Sequence, residues 1–238
     1  MNRSLSTPGV DSAEVAGLLS DLIAIDSVNP SLVPGSGGES AIADFIEGWA
    51  SQFGLTTQRL EETAGRPSVL VESSSAGTGR SLMLCGHTDT VGPGRMEDPL
   101  LPRVAGDRLY GRGSYDMKAG LTAALIACRY AARKKLPGQV VVAAVAYEEH
   151  SSIGVQEVLR HTRADAAIVS EPPTSPASPK VSAVAASASR RGSRRSRETN
   201  TAVSVAAMTS SAAAKSTIKV VRRLEATPSS TTGAPLMT

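Results

Sequence analysis

The chain has 238 residues, 41% of them hydrophobic and only 3% aromatic, and its formal net charge is +3. This length predicts one or two domains, each able to bury a hydrophobic core. The two cysteines exclude a disulfide framework, and no apolar run reaches the roughly 18 residues of a membrane span. Because the first residues lack the apolar segment of a signal peptide, a cytoplasmic location without membrane attachment is predicted.

The charge divides unevenly along the chain. Residues 1–173 carry 15 Lys and Arg against 20 Asp and Glu, net −5, whereas residues 174–238 carry 10 against 2, net +8. In the second part, Ser, Thr and Ala make up 35 of 65 residues, and no aromatic residue, His, Asp or Gln occurs. Such a composition buries too little apolar surface to offset the entropy of ordering, so a low-complexity, basic and disordered tail is predicted for 174–238.

Hydrophobic periodicity predicts two helices near the N-terminus. In residues 12–25, large apolar side chains recur at helical spacing, and Asp11 or Ser12 can cap the first turn. After a loop rich in Gly and Pro, a second helix is predicted from about Glu39 to Phe53, where Gly54 ends it.

From residue 55 onward, short β-rich runs alternate with helical stretches. Strands are predicted at 55–60, 68–73, 81–86, 139–147 and 165–171, and helices at 117–135 and 151–162. Three of the strand runs are nearly all apolar, as in strands that are covered on both faces. The alternation predicts an α/β fold with a mostly parallel sheet flanked by helices, whose sites gather at the carboxyl ends of the strands.

Four clusters of acidic or histidine residues each follow a predicted strand. They contribute His87 and Asp89, then Asp116 after a strand at about 107–110, then Glu148 and Glu149, and finally Glu171. Because one strand–helix unit separates neighbouring clusters, all four can meet at one edge of the sheet.

The spacing within the clusters suits a centre with two metal ions. Two residues apart on a strand, His87 and Asp89 point to the same side, so Asp89 can orient the imidazole while its other nitrogen binds a metal. A carboxylate such as Asp116 can bridge two ions, and adjacent Glu148 and Glu149 can divide the roles of ligand and general base. Ligands of this kind suit zinc, cobalt or manganese.

Taken singly, each cluster also has a structural interpretation. The His-x-Asp triplet can be a polar loop end, the Glu pair can be solvated surface charge, and Asp116 can cap a helix. Their joint occurrence after strands, in this order, favours the functional interpretation.

Six stretches carry a resemblance to the two-metal peptidase and deacylase family that includes acetylornithine deacetylase, succinyl-diaminopimelate desuccinylase, aminoacylase and glutamate carboxypeptidase. They are LLSDLIAIDSVNPS, GGESAIADFIEGW, LMLCGHTDTV, LYGRGSYDMKAGLTAAL, YEEHSSIG and AAIVSEP, and together they span about residues 12–173. The resemblance implies hydrolysis of an amide bond in an N-acyl amino acid or small peptide-like substrate, with two divalent ions, zinc above all, as cofactors. Glu171 and the sequences around SVNPS and SEPP resemble the deacetylase and desuccinylase branch most.

The same resemblance implies a role for each site residue. His87 would bind the first ion with Asp89 supporting it, Asp116 would bridge both ions, and Glu148 would be the general base. Glu149 would bind the second ion, and Glu171 the first.

The chain departs from the resemblance after Glu171. Family members continue with a lid domain, which often dimerises, and return to the metal domain with a final His ligand. Residues 174–238 contain no His. Residues 1–173 are therefore expected to form an incomplete metal-binding catalytic domain, without the dimer interface of the family and with only Asp116 and Glu149 left for the second ion.

Two alternatives to an active hydrolase remain. In the first, the chain is an inactive truncated fragment that binds at most one metal, and this is favoured over turnover for the chain as it stands. In the second, the basic tail binds nucleic acid, which is disfavoured because no aromatic residues are interleaved with its charges.

The origin of the tail is a separate expectation. The composition of residues 174–238 is that of G+C-rich codons read out of frame, so a frame-shifted tail is predicted.

Overall fold

A computed structural model describes residues 10–75 and 77–170 in full, and the backbone of residues 171, 182–185 and 217–220. Within these ranges the helices are α1 Ser12–Ala24, α2 Ser40–Gln52, α3 Ala119–Lys134 and α4 Ile153–His161, with a π-helical turn, Ser114–Lys118, leading into α3. The strands are β1 Thr56–Leu60, β2 Ser68–Glu72, β3 Leu82–His87, β4 Arg103–Ala105, β5 Arg108–Tyr110, β6 Val140–Val145, β7 Ala166–Glu171, β8 Ser182–Ala185 and β9 Thr217–Val220.

The helix ends follow from local chemistry. The carboxylate of Asp11, the residue before α1, accepts a hydrogen bond from the Ala13 amide at 3.0 Å and so satisfies one of the free N–H groups of the first turn. After α2, Gly54 adopts a φ of +67°, a conformation that glycine reaches without a Cβ clash. Both helices lie where hydrophobic periodicity predicted them.

Seven strands form the central sheet in the order β1-β2-β6-β3-β7-β8-β9. The middle strands β6, β3 and β7 are parallel to one another. On one side β1 and β2 add antiparallel pairs, and on the other side β8 and β9 each pair antiparallel with β7 and parallel with each other. The prediction of an α/β fold with a mostly parallel central sheet flanked by helices is confirmed. The parallel middle places the carboxyl ends of β6, β3 and β7 at one edge.

Each face of the sheet buries its own hydrophobic core. One core joins α1, α2 and α3 to side chains such as Val69, Val71 and Val142. The other lies under α4 and contains Leu70 and Val141 together with neighbouring strand residues. Alternate residues of one strand serve opposite cores, which explains why the strand sequences are apolar almost throughout.

The strand predicted before Asp116 forms, but outside the central sheet. Among the described strands, Arg108–Tyr110 pairs only with Arg103–Ala105, in a two-stranded hairpin that is largely exposed. The strand predicted at about 107–110 is thus present, but it does not bring Asp116 to the edge of the central sheet. These strands are three residues long and carry exposed side chains, unlike the apolar runs of the buried strands.

Two short strands lie within the predicted tail. The backbones of Ser182–Ala185 and Thr217–Val220 pair with β7 and with each other. These eight residues differ from the expectation of disorder, whereas 172–181, 186–216 and 221–238 lie outside the described residues. The domain division at residue 173, the disordered tail and its frame-shifted origin stay predictions.

None of the helices in the described ranges combines the length and the apolarity needed to traverse a lipid bilayer.

Two glycine substitutions test how tightly α4 packs on the sheet. A Cβ on Gly154, in the first turn of α4, would lie 2.7 Å from the Ala146 nitrogen and closer still to the Ala146 carbonyl oxygen, whereas a Cβ on Gly48 of α2 meets nothing within 4 Å. We expect Gly154→Ala to lower the free energy of unfolding by about 1–3 kcal/mol, because backbone must move. Gly48→Ala should raise it by about 0.5–1 kcal/mol. Urea unfolding followed by fluorescence of the single tryptophan measures both, and equal effects would contradict this packing.

Candidate metal centre

The carboxyl ends of β3 and β6 bring two of the predicted clusters together. His87 is the last residue of β3 and pairs in register with Val145, the last residue of β6, so Asp89 and the Glu148–Glu149 pair leave the sheet side by side. The parallel arrangement thus places residues 60 positions apart in the sequence at one edge.

The strand β7 continues this edge on the other side of β3. Cys85 pairs with Val169, and both strands run two residues further, so the backbone of Glu171 reaches the level of His87. The Glu171 side chain lies outside the described residues, and its role as a ligand stays a prediction.

Asp116 reaches the centre by a different route. It lies in the π-helical turn before α3, in extended backbone with φ −116° and ψ 100°. Buried Lys118 anchors this turn, since its ammonium donates to the carbonyls of Leu22 at 2.8 Å and Ile25 at 3.1 Å at the end of α1. The close of α1 and the start of α3 therefore fix the position of Asp116.

The imidazole of His87 is buried and is held through Nδ1. Nδ1 lies 2.8 Å from the backbone carbonyl of Asp89, and because a carbonyl only accepts, Nδ1 carries the hydrogen. Nε2 lies 3.1 Å from Asp116 Oδ1. In the neutral ring, this tautomer carries no hydrogen on Nε2, so the lone pair of Nε2 points toward Asp116 and can bind a metal ion. The carboxylate of Asp89 is further from the ring, 3.7 Å from Nδ1, so the main chain holds the ring more closely than the predicted carboxylate does.

The carboxylate of Asp89 instead organises the turn that follows β6. It is fully buried and accepts hydrogen bonds from the amides of Glu148 at 2.9 Å and Glu149 at 3.1 Å. A third donor, Asn29 Nδ2, lies 2.7 Å from Asp89 Oδ2. Asp89 thereby links the β3 end, the β6 end and the loop after α1.

Three side chains form a group able to hold a metal ion. His87, Asp116 and Glu149 each offer one ligand atom, and these atoms lie within 4.8 Å of one another. Zinc takes nitrogen and oxygen ligands at about 2.0–2.2 Å, so small side-chain movements suffice to close this group around an ion. Glu148 lies beside it, with Oε2 3.8 Å from His87 Nε2 and a side chain that is 38% exposed.

The electrostatics of the group also favour a cation. The pKa of the Glu149 carboxyl is raised to about 7, chiefly by burial; His87 opposes this rise, and Asp116, Asp89 and Glu148 contribute to it. A divalent ion among these carboxylates would relieve their repulsion and favour the ionised form of Glu149. The residues present therefore fit a divalent metal of the kind that the sequence predicted.

The structure brings five of the six predicted site residues near one another: three form the metal-holding group, Glu148 lies beside it, and Asp89 binds the turn of residues 148 and 149. The side chain of the sixth, Glu171, lies outside the described residues. Sequence reasoning gave no role to Asn29, which binds Asp89, or to Glu39, Arg66 and Tyr147, which surround Asn29 and the turn after β6. Asn29 does lie in the SVNPS stretch, between a helix and a Gly/Pro-rich loop. A buried Glu paired with an Arg 27 residues later leaves no periodic signal in a single sequence.

Fold and cluster together place the chain among α/β proteins with a histidine–carboxylate metal centre. The sequence model of peptidase family M20/M25/M40 matches residues 83–237, and the chain belongs to that family.

Curated relatives support the assignment. The chain is 33% identical to the acetylornithine deacetylase of Proteus mirabilis over 162 residues, which are 65% of this chain and 41% of that protein. It is 30% identical to the succinyl-diaminopimelate desuccinylase of Parvibaculum lavamentivorans over 163 residues, 63% of this chain and 40% of that protein. The chain thus spans about two fifths of the length of these relatives.

Two solved structures share the fold. An M20 family metallo-carboxypeptidase from Sulfolobus solfataricus superposes with a TM-score of 0.57 at 22% identity, covering 67% of this chain and 37% of that one. Human carnosine dipeptidase 1 gives a TM-score of 0.56 at 21% identity, covering 71% and 40%.

Proposed function

We propose that this chain carries part of the metal site, formed by His87, Asp116 and Glu149, and the general base, Glu148, of a metal-dependent amide hydrolase of the deacetylase and desuccinylase type. The observation that carries the proposal is the convergence of His87, Asp116 and Glu149 within 4.8 Å, with Glu148 beside them. Enzymes of this family depend on two metal ions. The substrate class follows from the named relatives, an acetylornithine deacetylase and a succinyl-diaminopimelate desuccinylase. We assign an N-acyl amino acid as the substrate.

In this proposal the residues of the chain divide the chemistry. His87, Asp116 and Glu149 would hold divalent metal, with Glu171 as a further ligand. Bound zinc, cobalt or manganese would polarise the substrate carbonyl and lower the pKa of the attacking water, so that the water can lose a proton at neutral pH. Glu148 takes the proton of the attacking water while the water oxygen bonds to the carbonyl carbon and the C=O double bond opens to an oxyanion. When the double bond forms again, the C–N bond breaks and Glu148 delivers the proton to the departing amide nitrogen.

Asp89 serves this arrangement without touching the substrate. By accepting the amides of Glu148 and Glu149 it sets the direction in which both side chains leave the turn. Its backbone carbonyl fixes the tautomer of His87, which keeps Nε2 available as a ligand.

A metal titration tests the proposal. Titrating the metal-free chain with Co²⁺ while recording visible absorption should give saturable binding with the bands of a nitrogen and oxygen ligand set. His87→Ala should weaken binding by at least about 100-fold, because the ring supplies the only nitrogen ligand of the described group. His161, at the exposed end of α4, provides the matched control, and His161→Ala should bind Co²⁺ like the wild type. Equal binding by all three proteins would contradict the proposal.

Hydrolysis of N-acetylornithine and N-succinyl-diaminopimelate by the zinc-loaded chain decides between the active hydrolase and the alternative. Turnover that disappears on metal removal supports the complete proposal. Metal binding without turnover supports the alternative, in which the chain is an inactive fragment that binds at most one metal.

A further inference from the structure

Arg66 occupies a nearly buried position between the loop after α1 and the turn after β6. Its side chain is 12% exposed, and Nη1 donates to both carboxylate oxygens of Glu39, at 3.1 and 2.9 Å. The Glu39 side chain has no exposed surface. A buried carboxylate of this kind is costly unless it is paired, so Arg66 compensates the charge of Glu39.

One set of contacts joins this ion pair to Tyr147. The Arg66 guanidinium lies over the Tyr147 ring, 4.4 Å from its centroid, and the Tyr147 amide donates to Glu39 Oε1 at 3.2 Å. Ser31 Oγ lies 2.6 Å from the Tyr147 hydroxyl and accepts a hydrogen bond from Arg66 Nη2 at 3.1 Å. Tyr147 has a φ of +63°, which is unfavourable for a residue with a Cβ and needs support from its surroundings.

A second set of contacts joins Arg66 to Asp89. Arg66 Nη1 lies 3.3 Å from Asn29 Oδ1, which fixes the side-chain amide of Asn29 with its nitrogen toward Asp89 Oδ2 at 2.7 Å. Asp89 in turn accepts the amides of Glu148 and Glu149. The first set of contacts therefore ends on Tyr147 and the second on Glu148 and Glu149, so both end in the turn of residues 147–149.

We propose that Arg66, held by Glu39, is a positioning residue that fixes the turn of residues 147–149 and thereby the directions of the Glu148 and Glu149 carboxylates. The inference rests on the proposed function for the roles of those two carboxylates. Arg66 makes no contact with His87, Asp116 or Glu149 among the described hydrogen bonds and ion pairs, so it acts through Tyr147, Asn29 and Asp89.

The planar guanidinium explains why arginine stands at this position. It donates to Glu39, Asn29 and Ser31 and stacks on an aromatic ring at the same time. An ammonium can pair with Glu39 but cannot make this planar set of contacts. Arg66→Lys should therefore preserve the fold and the charge while loosening the turn.

Amide hydrogen exchange in the metal-free full-length chain tests the inference. NMR exchange rates at Glu148 and Glu149, whose amides donate to Asp89, should rise about tenfold in Arg66→Met and by a smaller factor in Arg66→Lys. Exchange at Val142, in the buried middle of β6, should stay unchanged. The matched control is Arg59→Met, because Arg59 also pairs with carboxylates, Asp44 at 2.6 Å and Glu47 at 3.0 Å, but lies outside the site.

Co²⁺ titration of the same proteins supplies the second measurement. Arg66→Met should bind Co²⁺ about tenfold more weakly and with altered absorption bands, Arg66→Lys should be intermediate, and Arg59→Met should match the wild type. If Arg66→Met does not fold, Arg66→Lys alone decides. Wild-type exchange rates at Glu148 and Glu149 in the folded Arg66 variants would overturn the inference. Absence of Co²⁺ binding by the wild type would instead refute the proposed function.

Discussion

Replacing Glu148 by Gln should abolish most hydrolysis while leaving metal binding intact. Gln keeps the size of the side chain and can still accept a hydrogen bond, but it cannot take the proton of the attacking water. Removing a general base of this kind costs about 10²–10⁴-fold in rate. We therefore expect kcat of the zinc-loaded chain on an N-acyl amino acid to fall by that factor, with zinc affinity changed less than about threefold.

The neighbouring Glu149 provides the matched comparison. Its carboxylate belongs to the group within 4.8 Å, whereas that of Glu148 stands beside it and is partly exposed. Glu149→Gln should therefore lose zinc affinity, by about 10–100-fold or more. Steady-state hydrolysis assays measure the rate of both variants, and competition with a chelator measures their zinc affinity. The opposite pattern, with Glu148→Gln losing zinc and Glu149→Gln losing only rate, would reverse the two roles.

Asp89→Ala should cause the largest loss of stability of any single change at the site. The substitution removes the acceptor of three donors, the partly buried amides of Glu148 and Glu149 and the buried side-chain nitrogen of Asn29. A fully buried donor left unsatisfied costs about 1–3 kcal/mol, and because water can reach the two amides in part, the free energy of unfolding should fall by about 3–5 kcal/mol. Urea unfolding with tryptophan fluorescence measures the change.

Asp165→Ala is the control for this substitution. Asp165 also accepts from a backbone amide and a side chain, Ser81 N at 2.8 Å and Ser81 Oγ at 3.1 Å, but it lies at the start of β7, away from the metal group. We expect a smaller destabilisation and unchanged zinc affinity for Asp165→Ala, against a 10–100-fold weaker affinity for any folded Asp89→Ala. Equal zinc affinity in the two variants would show that Asp89 has no part in the centre.

The central sheet could be predicted from the sequence because its signals are local and repeated. The stretches 81–86 and 139–147 are apolar on both faces, and the helices between the strands keep a stripe at helical spacing. The parallel order then brings His87, Asp89, Glu148 and Glu149 to one edge without further information.

The parts that sequence reasoning missed depend on single contacts between distant residues. The hairpin before Asp116 stands apart from the sheet, and a buried Lys118 bound to carbonyls of α1 positions Asp116 instead. Likewise, the partner of the Asp89 carboxylate is the main chain of residues 148 and 149 more than the ring of His87, a choice that side-chain spacing cannot reveal. Every residue except proline carries a backbone N–H, so a main-chain donor far away in the sequence leaves no signal in its residue type.

Crystals of the chain grown with zinc and measured on both sides of the zinc absorption edge would test the central claim most directly. The account predicts an anomalous difference peak about 2.0–2.2 Å from His87 Nε2 and from carboxylate oxygens of Asp116 and Glu149. It would be contradicted by crystals that show zinc only elsewhere, or no zinc at millimolar concentration.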